Sequence, residues 1–457
     1  MEQSFNGFSD MSSFSLSPRD AVITGVGVIC PLGLTARDVW NAITEGRCGI
    51  RAICLDHRTD SSPTNSSGNL VSIGAPVLQF SGSIEDFGAL PGDISRSLRK
   101  GLKLMCRESQ MAVAAALRAL DDAGWKPGLY DPQRCGVIFG CDYLLSTPEE
   151  FIEPIAACIE NGRFQFSRWG KEGLSKMNPL WLLKYLPNMP ASHIAIYCQF
   201  CGPTNSITLR EASGLVGLGE AQNLISRGLA DLLIVGATGS WLHPMKVIHA
   251  LMHQQVVTSG DPEALPPPFD RGRRGIVLGE GAGAVVVEAA ESAMARGCTI
   301  YGRVVATASA AKVTKPGKPD YRAALELVLR QLLTRASLGP EKIGFISAQG
   351  LGTHHGDREE AQAIATVFAD RGTPIPVVAG KSYLGYLGAS SALAELIAGL
   401  FALGSNRLYR VRNLTQTDPE CPIRPVAEEG LPSGDSFVQL AYTPQAQAAG
   451  VLVARTP

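Results

Sequence analysis

Short β-branched apolar runs alternate along this chain with segments whose apolar residues recur at spacings of three and four, and the whole rhythm occurs twice. That alternation restricts the fold more than any other feature. Residues 22–28 read as a buried strand, with Gly25 and Gly27 leading into a loop. Thr35 is placed to cap a helix running to about Glu45. Residues 95–123 carry helical spacing, with a break near Gly101 and Gly124 as a stop. A strand at 135–140 follows, and Ser146-Thr147-Pro148 opens a further helix. Then come a strand at 205–209, a helix at 212–227, and strands at 231–236 and 282–288. The second half repeats the order. Strands fall at 303–309, 343–348, 375–378, 436–442 and 450–454, with helices at 321–336, 357–368 and 387–403. Such alternation predicts mainly parallel sheets covered by helices, in two halves that meet near residue 290.

Composition narrows the function. With 457 residues the chain can bury a large core without staples. Lys plus Arg is 41 against 42 Asp plus Glu, which speaks against a nucleic-acid or polybasic membrane surface. Only 18% of residues are charged, below the usual ~25%, so much surface is expected to be buried, including a subunit interface. No apolar run reaches the ~18 residues expected of a membrane span. Residues 1–18 lack a continuous apolar stretch and read as a loose arm rather than a signal peptide. Residues 51–91, rich in Ser, Gly, Pro and Asn, read as an irregular insertion. The 11 cysteines lack regular spacing, as expected of reduced thiols in the cytoplasm. Cys198 and Cys201 form a lone C-x-x-C, read as buried structural thiols rather than half of a metal site.

Five segments in register carry a family resemblance. They are DAVITGVGVICPLG at 20–33, NMPASHIAIYCQFCGP at 188–203, PFDRGRRGIVLGEGAG at 268–283, GDREEAQ at 356–362, and Lys381-Ser382. In order and spacing the chain resembles the β-ketoacyl-acyl-carrier-protein synthases of the thiolase-fold superfamily, specifically the synthase II type. The resemblance implies an α/β thiolase-like fold, with two similar βαβαβαββ halves in an α/β/α/β/α layering. The halves would be 19–289 and 290–457. It also implies a dimer that works with acyl-carrier protein in fatty-acid or polyketide biosynthesis, with no cofactor.

At the family's catalytic positions this chain differs. The nucleophilic cysteine, whose thiolate would accept an acyl chain at a helix N-terminus, is replaced by Glu211 in TLREASG. The two catalytic histidines are replaced by Gln349 in SAQGLGT and Tyr386 in KSYLGYLGAS. The family's C-terminal Gly-rich loop, an oxyanion donor, is replaced by AYTPQAQAA at 441–449. A carboxylate cannot hold an acyl chain durably, because the mixed anhydride lies far uphill of a thioester. Gln349 and Tyr386 can each donate a hydrogen bond, but neither titrates near pH 7. Losing one oxyanion donor alone costs roughly 10²–10³ in rate. Condensation by the family mechanism is therefore not expected of this chain alone.

Lys381, Asp357 and Glu360 match the family's charged network. Two readings of it are compatible: the network ties together the loops carrying Gln349 and Lys381, or Lys381 neutralises Glu211. A buried Glu without a partner would have its pKa raised, whereas a helix N-terminus favours its anion. Arg274 stands where the family has an acid; it bridges to Glu211 or to the 357–360 helix, or it lies on the surface. Asp142 and Tyr143 replace smaller residues of the family's acyl pocket, so they narrow that pocket or point elsewhere. His354 and His355 either replace the lost imidazole or are solvent-exposed. His193 reads as structural. His249 and His253 could share a helix face, but no third metal ligand is evident.

Three functions remain in view. The first is a non-condensing subunit like the chain-length factors of type II polyketide systems, paired with an active ketosynthase. Those subunits carry Gln at the nucleophile position, so Glu211 departs from them too. The second is an enzyme of altered chemistry on carrier-bound acyl thioesters, with Glu211 as general base. The third is a homodimeric binding scaffold.

Overall fold

The computed structural model describes residues 16–54, 70–315 and 317–456. Most of the expected N-terminal arm and the middle of the expected insertion lie outside these residues. The flanks of the insertion are not wholly irregular, because Arg51–Ala52 pairs antiparallel with Ile73–Gly74.

The described strands of the main sheet are β1 (Ala21–Ile29), β2 (Cys135–Cys141), β3 (Thr204–Ile207), β4 (Leu232–Ser240), β5 (Glu280–Ala289), β6 (Gly302–Ala311), β7 (Phe345–Ser347), β8 (Pro376–Val378), β9 (Arg424–Pro425), β10 (Ser436–Tyr442) and β11 (Gln447–Ala454). The principal helices are α1 (Ala36–Thr44), α2 (Gly92–Gly101), α3 (Arg107–Asp122), α4 (Met189–Cys198), α5 (Ser213–Ser226), α6 (Pro244–His253), α7 (Tyr321–Ala336), α8 (His354–Val367) and α9 (Ser391–Ser405).

The spatial order is β9-β8-β7-β10-β11-β6-β1-β5-β4-β2-β3. The first half therefore runs β3-β2-β4-β5-β1, and the second runs β8-β7-β10-β11-β6, with β9 added at the edge. Strand for strand the two orders are the same, so the chain folds one topology twice. The sheet is mixed rather than mainly parallel. β2 is parallel to β3 and β4, but β5 is antiparallel to β4 and β1, and the second half repeats this. Alternation revealed the crossover helices, but β5 returns antiparallel after the long segment that carries α6, and β11 returns antiparallel through a tight turn. Within the described sheet the halves meet where β1 pairs with β6, Val22 with Arg303 and Ile23 with Gly302.

The layering follows from which helices pack on strands of both halves. α5 and α9 lie in the middle, each packed on strands of both halves. The segment Gly388–Ser405 is 18 residues long with mean hydropathy 1.4, so an apolar run of membrane-spanning length does exist. It is mostly buried between the two sheets as a core helix. α3 covers the outer face of the first half, and α7 and α8 cover that of the second. β1 can lie against α3 because Gly27 has no side chain. A Cβ there would come 2.0 Å from the Ala115 carbonyl oxygen.

Candidate active site

Both buried helices begin at tight turns that face the same small region. The first turn, Arg210–Ala212, links β3 to α5 and carries Glu211. The second, Gly388–Ser390, opens α9 just after Tyr386. Gln349 follows β7, and Lys381 begins the short helix Lys381–Leu384. The three substituted positions are all fully buried, and the first and third meet directly.

The Tyr386 phenol donates to Glu211 Oε1. Arg210 Nη2 donates to the same oxygen at 3.3 Å and to the Tyr386 oxygen at 3.4 Å. Burial pushes the Glu211 carboxyl above its ordinary range, against the opposing pull of Arg210. Burial likewise raises the Tyr386 phenol, and Glu211 raises it further. The Arg210 guanidinium lies 5.0 Å from the centre of the Trp241 ring. Trp241 Nε1 donates to Asp142 Oδ2 at 2.8 Å. The Tyr143 hydroxyl meets His249 Nδ1, and Lys246 Nζ lies 5.2 Å from the Tyr143 ring centre. Lys246 pairs with Glu108 at 3.3 Å. Asp142 and Tyr143 thus turn inward and pack beside Trp241. With Arg210, Glu211 and Tyr386 they make one continuous polar string through the buried region.

The Gln349 amide does not face Glu211. Its Nε2 donates to the Tyr442 carbonyl at 3.0 Å, and its backbone N–H donates to Glu360 at 2.7 Å. The donor expected from the sequence is therefore engaged with β10. Glu360 also accepts the Gly350 N–H at 2.9 Å, and Asp357 accepts from Phe269 and Gly352. Burial lifts Asp357 to about 6 and Glu360 to about 8, against these backbone hydrogen bonds. This is the loop-tying role for the network.

Lys381 does not neutralise Glu211. Its ammonium donates to the Gln349 carbonyl at 2.6 Å and to both oxygens of Glu395, at 2.9 and 3.0 Å. Burial raises Glu395 to about 7, and Lys381 opposes that rise. The cation beside Glu211 is Arg210, which the sequence reading passed over. Arg274 is exposed and bridges neither Glu211 nor the 357–360 helix. Its neighbour Arg273 is the buried one, reaching Asp418 at 2.5 Å and Asp357 at 3.5 Å. Arg273 is held inward by the Asp270, Thr353 and His354 carbonyls as well as by Asp418. A basic residue directly before Glu211, and a lone acid in the apolar run ALAELIAGL, were the sequence signals for Arg210 and Glu395.

His354 and His355 are both exposed, so neither replaces an imidazole in this site. His193 is buried, stacked on Tyr197. His249 and His253 do share a face of α6, with ring centres 4.8 Å apart. No group of three metal-ligating side chains occurs among the described residues. Cys198 is buried, as expected, but Cys201 is exposed, and both precede the turn that carries Glu211. On the Lys381 side of Tyr386, a cavity lined by Ile50, Pro268, Leu351 and Gly385 encloses about 30 Å³, roughly the liquid volume of one water.

Residues 19–293 match the family model for the β-ketoacyl synthase N-terminal domain, and residues 300–415 match that for the C-terminal domain. The chain is 30% identical over 420 residues to a 3-oxoacyl-[acyl-carrier-protein] synthase 2 of Coxiella burnetii, covering 91% of this chain and 93% of that one. It is 28% identical over 424 residues to the mitochondrial 3-oxoacyl-[acyl-carrier-protein] synthase of Arabidopsis thaliana, covering 91% and 88%. Among solved structures, a β-ketoacyl synthase from Burkholderia phymatum STM815 superposes with TM-score 0.80 at 25% identity, covering 96% of this chain and all of that one. The ishigamide ketosynthase/chain length factor superposes with TM-score 0.78 at 24% identity, again over 96% of this chain and all of that one.

Proposed function

The chain belongs to the β-ketoacyl synthase family, the ketosynthases of fatty-acid and polyketide biosynthesis, and from that premise we propose that it is a non-condensing subunit of such a system, paired with an active ketosynthase. One observation carries the reading. At the turn into α5, where a nucleophile would have to stand free, the Glu211 carboxylate is bonded to Tyr386 and Arg210. Both bonds go to one oxygen, Oε1; a carboxylate holds no acyl chain durably, and Tyr386 spends its hydrogen on Glu211 rather than on a substrate oxygen. The Gln349 amide nitrogen donates to the Tyr442 carbonyl. The partner would supply the cysteine, and acyl-carrier protein would deliver chains to the pair.

The surface supports a lasting interface. β3 lies at the edge of the sheet, hydrogen-bonded on one side only to β2. Between β2 and β3 the chain exposes Ile152, Ile155, Phe166, Leu174, Leu182 and Ile196. Exposed edges and apolar surface of this kind are normally covered. A solved structure of the same fold is named as a ketosynthase/chain length factor pair.

The test is a condensation assay with an acyl thioester and malonyl-carrier protein. The purified chain alone is expected to form no carbon–carbon product, and its complex with a cysteine-bearing ketosynthase from the same cells is expected to form one. Product from the chain alone would overturn the reading.

A second reading has one observation in its favour, the raised pKa of Glu211, which suits a general base. Glu211→Gln in the assembled complex separates the two. A non-condensing subunit keeps its product yield, whereas a general base loses roughly 10²-fold or more.

A further inference from the structure

The two halves build the same turn ahead of their buried helices. In the first, the Leu209 N–H donates to Ser213 Oγ at 2.9 Å; in the second, the Leu387 N–H donates to Ser391 Oγ at 2.9 Å. Aligned on these two bonds, Arg210 corresponds to Gly388 and Glu211 to Ala389. The backbone is left-handed at both leading residues, with φ +49° at Arg210 and +62° at Gly388. Glycine adopts that conformation freely, whereas an arginine is strained in it. Gly388 is also hemmed in, since a Cβ there would come within 2.5 Å of Asp142 and 2.6 Å of Trp241. The fold therefore makes this turn with Gly-Ala in one half and with a strained Arg-Glu in the other. A residue held against its backbone preference is retained for what its side chain does. Here that side chain binds Glu211, reaches the Tyr386 oxygen and stacks on Trp241.

We propose that Arg210 and Glu211 form a plug that fills the acyl-holding space of this subunit, with Arg210 as the positioning residue that keeps it shut. Glu211 supplies the blocking group, and Arg210 supplies the charge that lets a carboxylate remain buried. The titratable and charged groups that act on the pair are Tyr386, Asp142, Tyr321 and Tyr442, with Tyr143 and His249 on the Arg210 side and Lys246 beyond Tyr143; Arg210 is the cation bonded to Glu211. Tyr386 and Trp241 close the other sides. A pair that supplies a chain's growing end from the partner's cysteine then has one acyl site and not two. This inference rests on the non-condensing reading of the chain, but it can fail separately.

The test uses the full chain in the assembly in which it purifies, any partner cysteine first being loaded to completion with the butyryl group so that its acyl site is already taken. Its variants are R210G and R210G/E211A, the second of which writes the second half's Gly-Ala into the first half's turn. Thermal unfolding is followed from pH 5 to pH 9, and butyryl-pantetheine binding is followed by titration calorimetry. Wild type is expected to show no saturable binding. R210G should unfold at lower temperature than wild type, by a margin that widens as pH rises, because Glu211 must then ionise without its cation. R210G/E211A should recover most of that loss, lose the widening with pH, and bind the probe. Saturable binding to wild type would overturn the plug without recourse to any variant. So would an R210G variant as stable as wild type at pH 9, or a folded R210G/E211A that binds no probe. Binding to a wild-type chain that still makes no product would sink the plug alone. A probe-binding double variant of a chain that purifies without any ketosynthase would sink the subunit reading alone.

Discussion

Lys381 and Glu395 are buried together, and each depends on the other. Removing one charge of such a pair strands its partner, which costs about 3–5 kcal/mol, whereas replacing both with apolar groups of similar size is far milder. Lys381→Met is therefore expected to lower stability to urea by about 3–5 kcal/mol, and K381M/E395L to recover most of it. An additive double variant would contradict the pairing. The buried carboxyls also set a pH dependence. Burial lifts Asp357 to about 6, Glu395 to about 7 and Glu360 to about 8. An acid with a raised pKa holds its proton more tightly in the folded state. Its contribution is complete below the unfolded pKa and is lost as pH rises through the folded one. Above the histidine range, the unfolding temperature should accordingly fall between pH 7 and pH 9; a rise across that range would contradict the burial of Glu395 and Glu360. That Glu211, Gln349 and Tyr386 follow strands and open buried turns was legible in the sequence, because the flanking motifs mark those segments. Their partners were not. Lys381 reaches Glu395 only because α9 turns that residue toward it. Arg210 reaches back over Trp241 only because its backbone is left-handed, which a non-glycine residue does not announce.

Among the elements, α1 and α7 were legible to within a residue at their ends. Thr35 accepts the Asp38 N–H at the first, and Asp320 accepts the Ala323 N–H at the second. The break at Gly101 is also present, with a short 3₁₀ turn between α2 and α3. Strand direction was not legible. β5 is buried along its whole length, so its residues do not alternate and give no sign of which way it runs. α4 was not singled out as a helix. It is apolar nearly all round, and without a polar stripe the spacing of three and four disappears. The contact of α3 with β1 offers the sharpest test at this scale. Gly27→Val would drive a side chain into the Ala115 carbonyl and push the helix from the sheet. We expect a loss of about 1–3 kcal/mol or more, read as a lower unfolding temperature or loss of soluble protein. A variant as stable as wild type would mean that α3 does not sit this close.

At the scale of the whole molecule, one topology is repeated and the two copies have diverged in chemistry. Each half sends a helix into the shared core through the same turn, and only the first half's turn is charged. The result is a ketosynthase fold in which Arg210, Glu211 and Tyr386 are bonded to one another in its buried centre. Its edge strand and the apolar segment beside it remain open to a partner. A share of 18% charged residues suits a protein that gives one face to another chain. Native mass spectrometry of the tagged protein purified from its own cells tests this most directly. We expect a heterodimer with a second ketosynthase-family chain that carries the nucleophilic cysteine. A homodimer without such a chain would contradict the account.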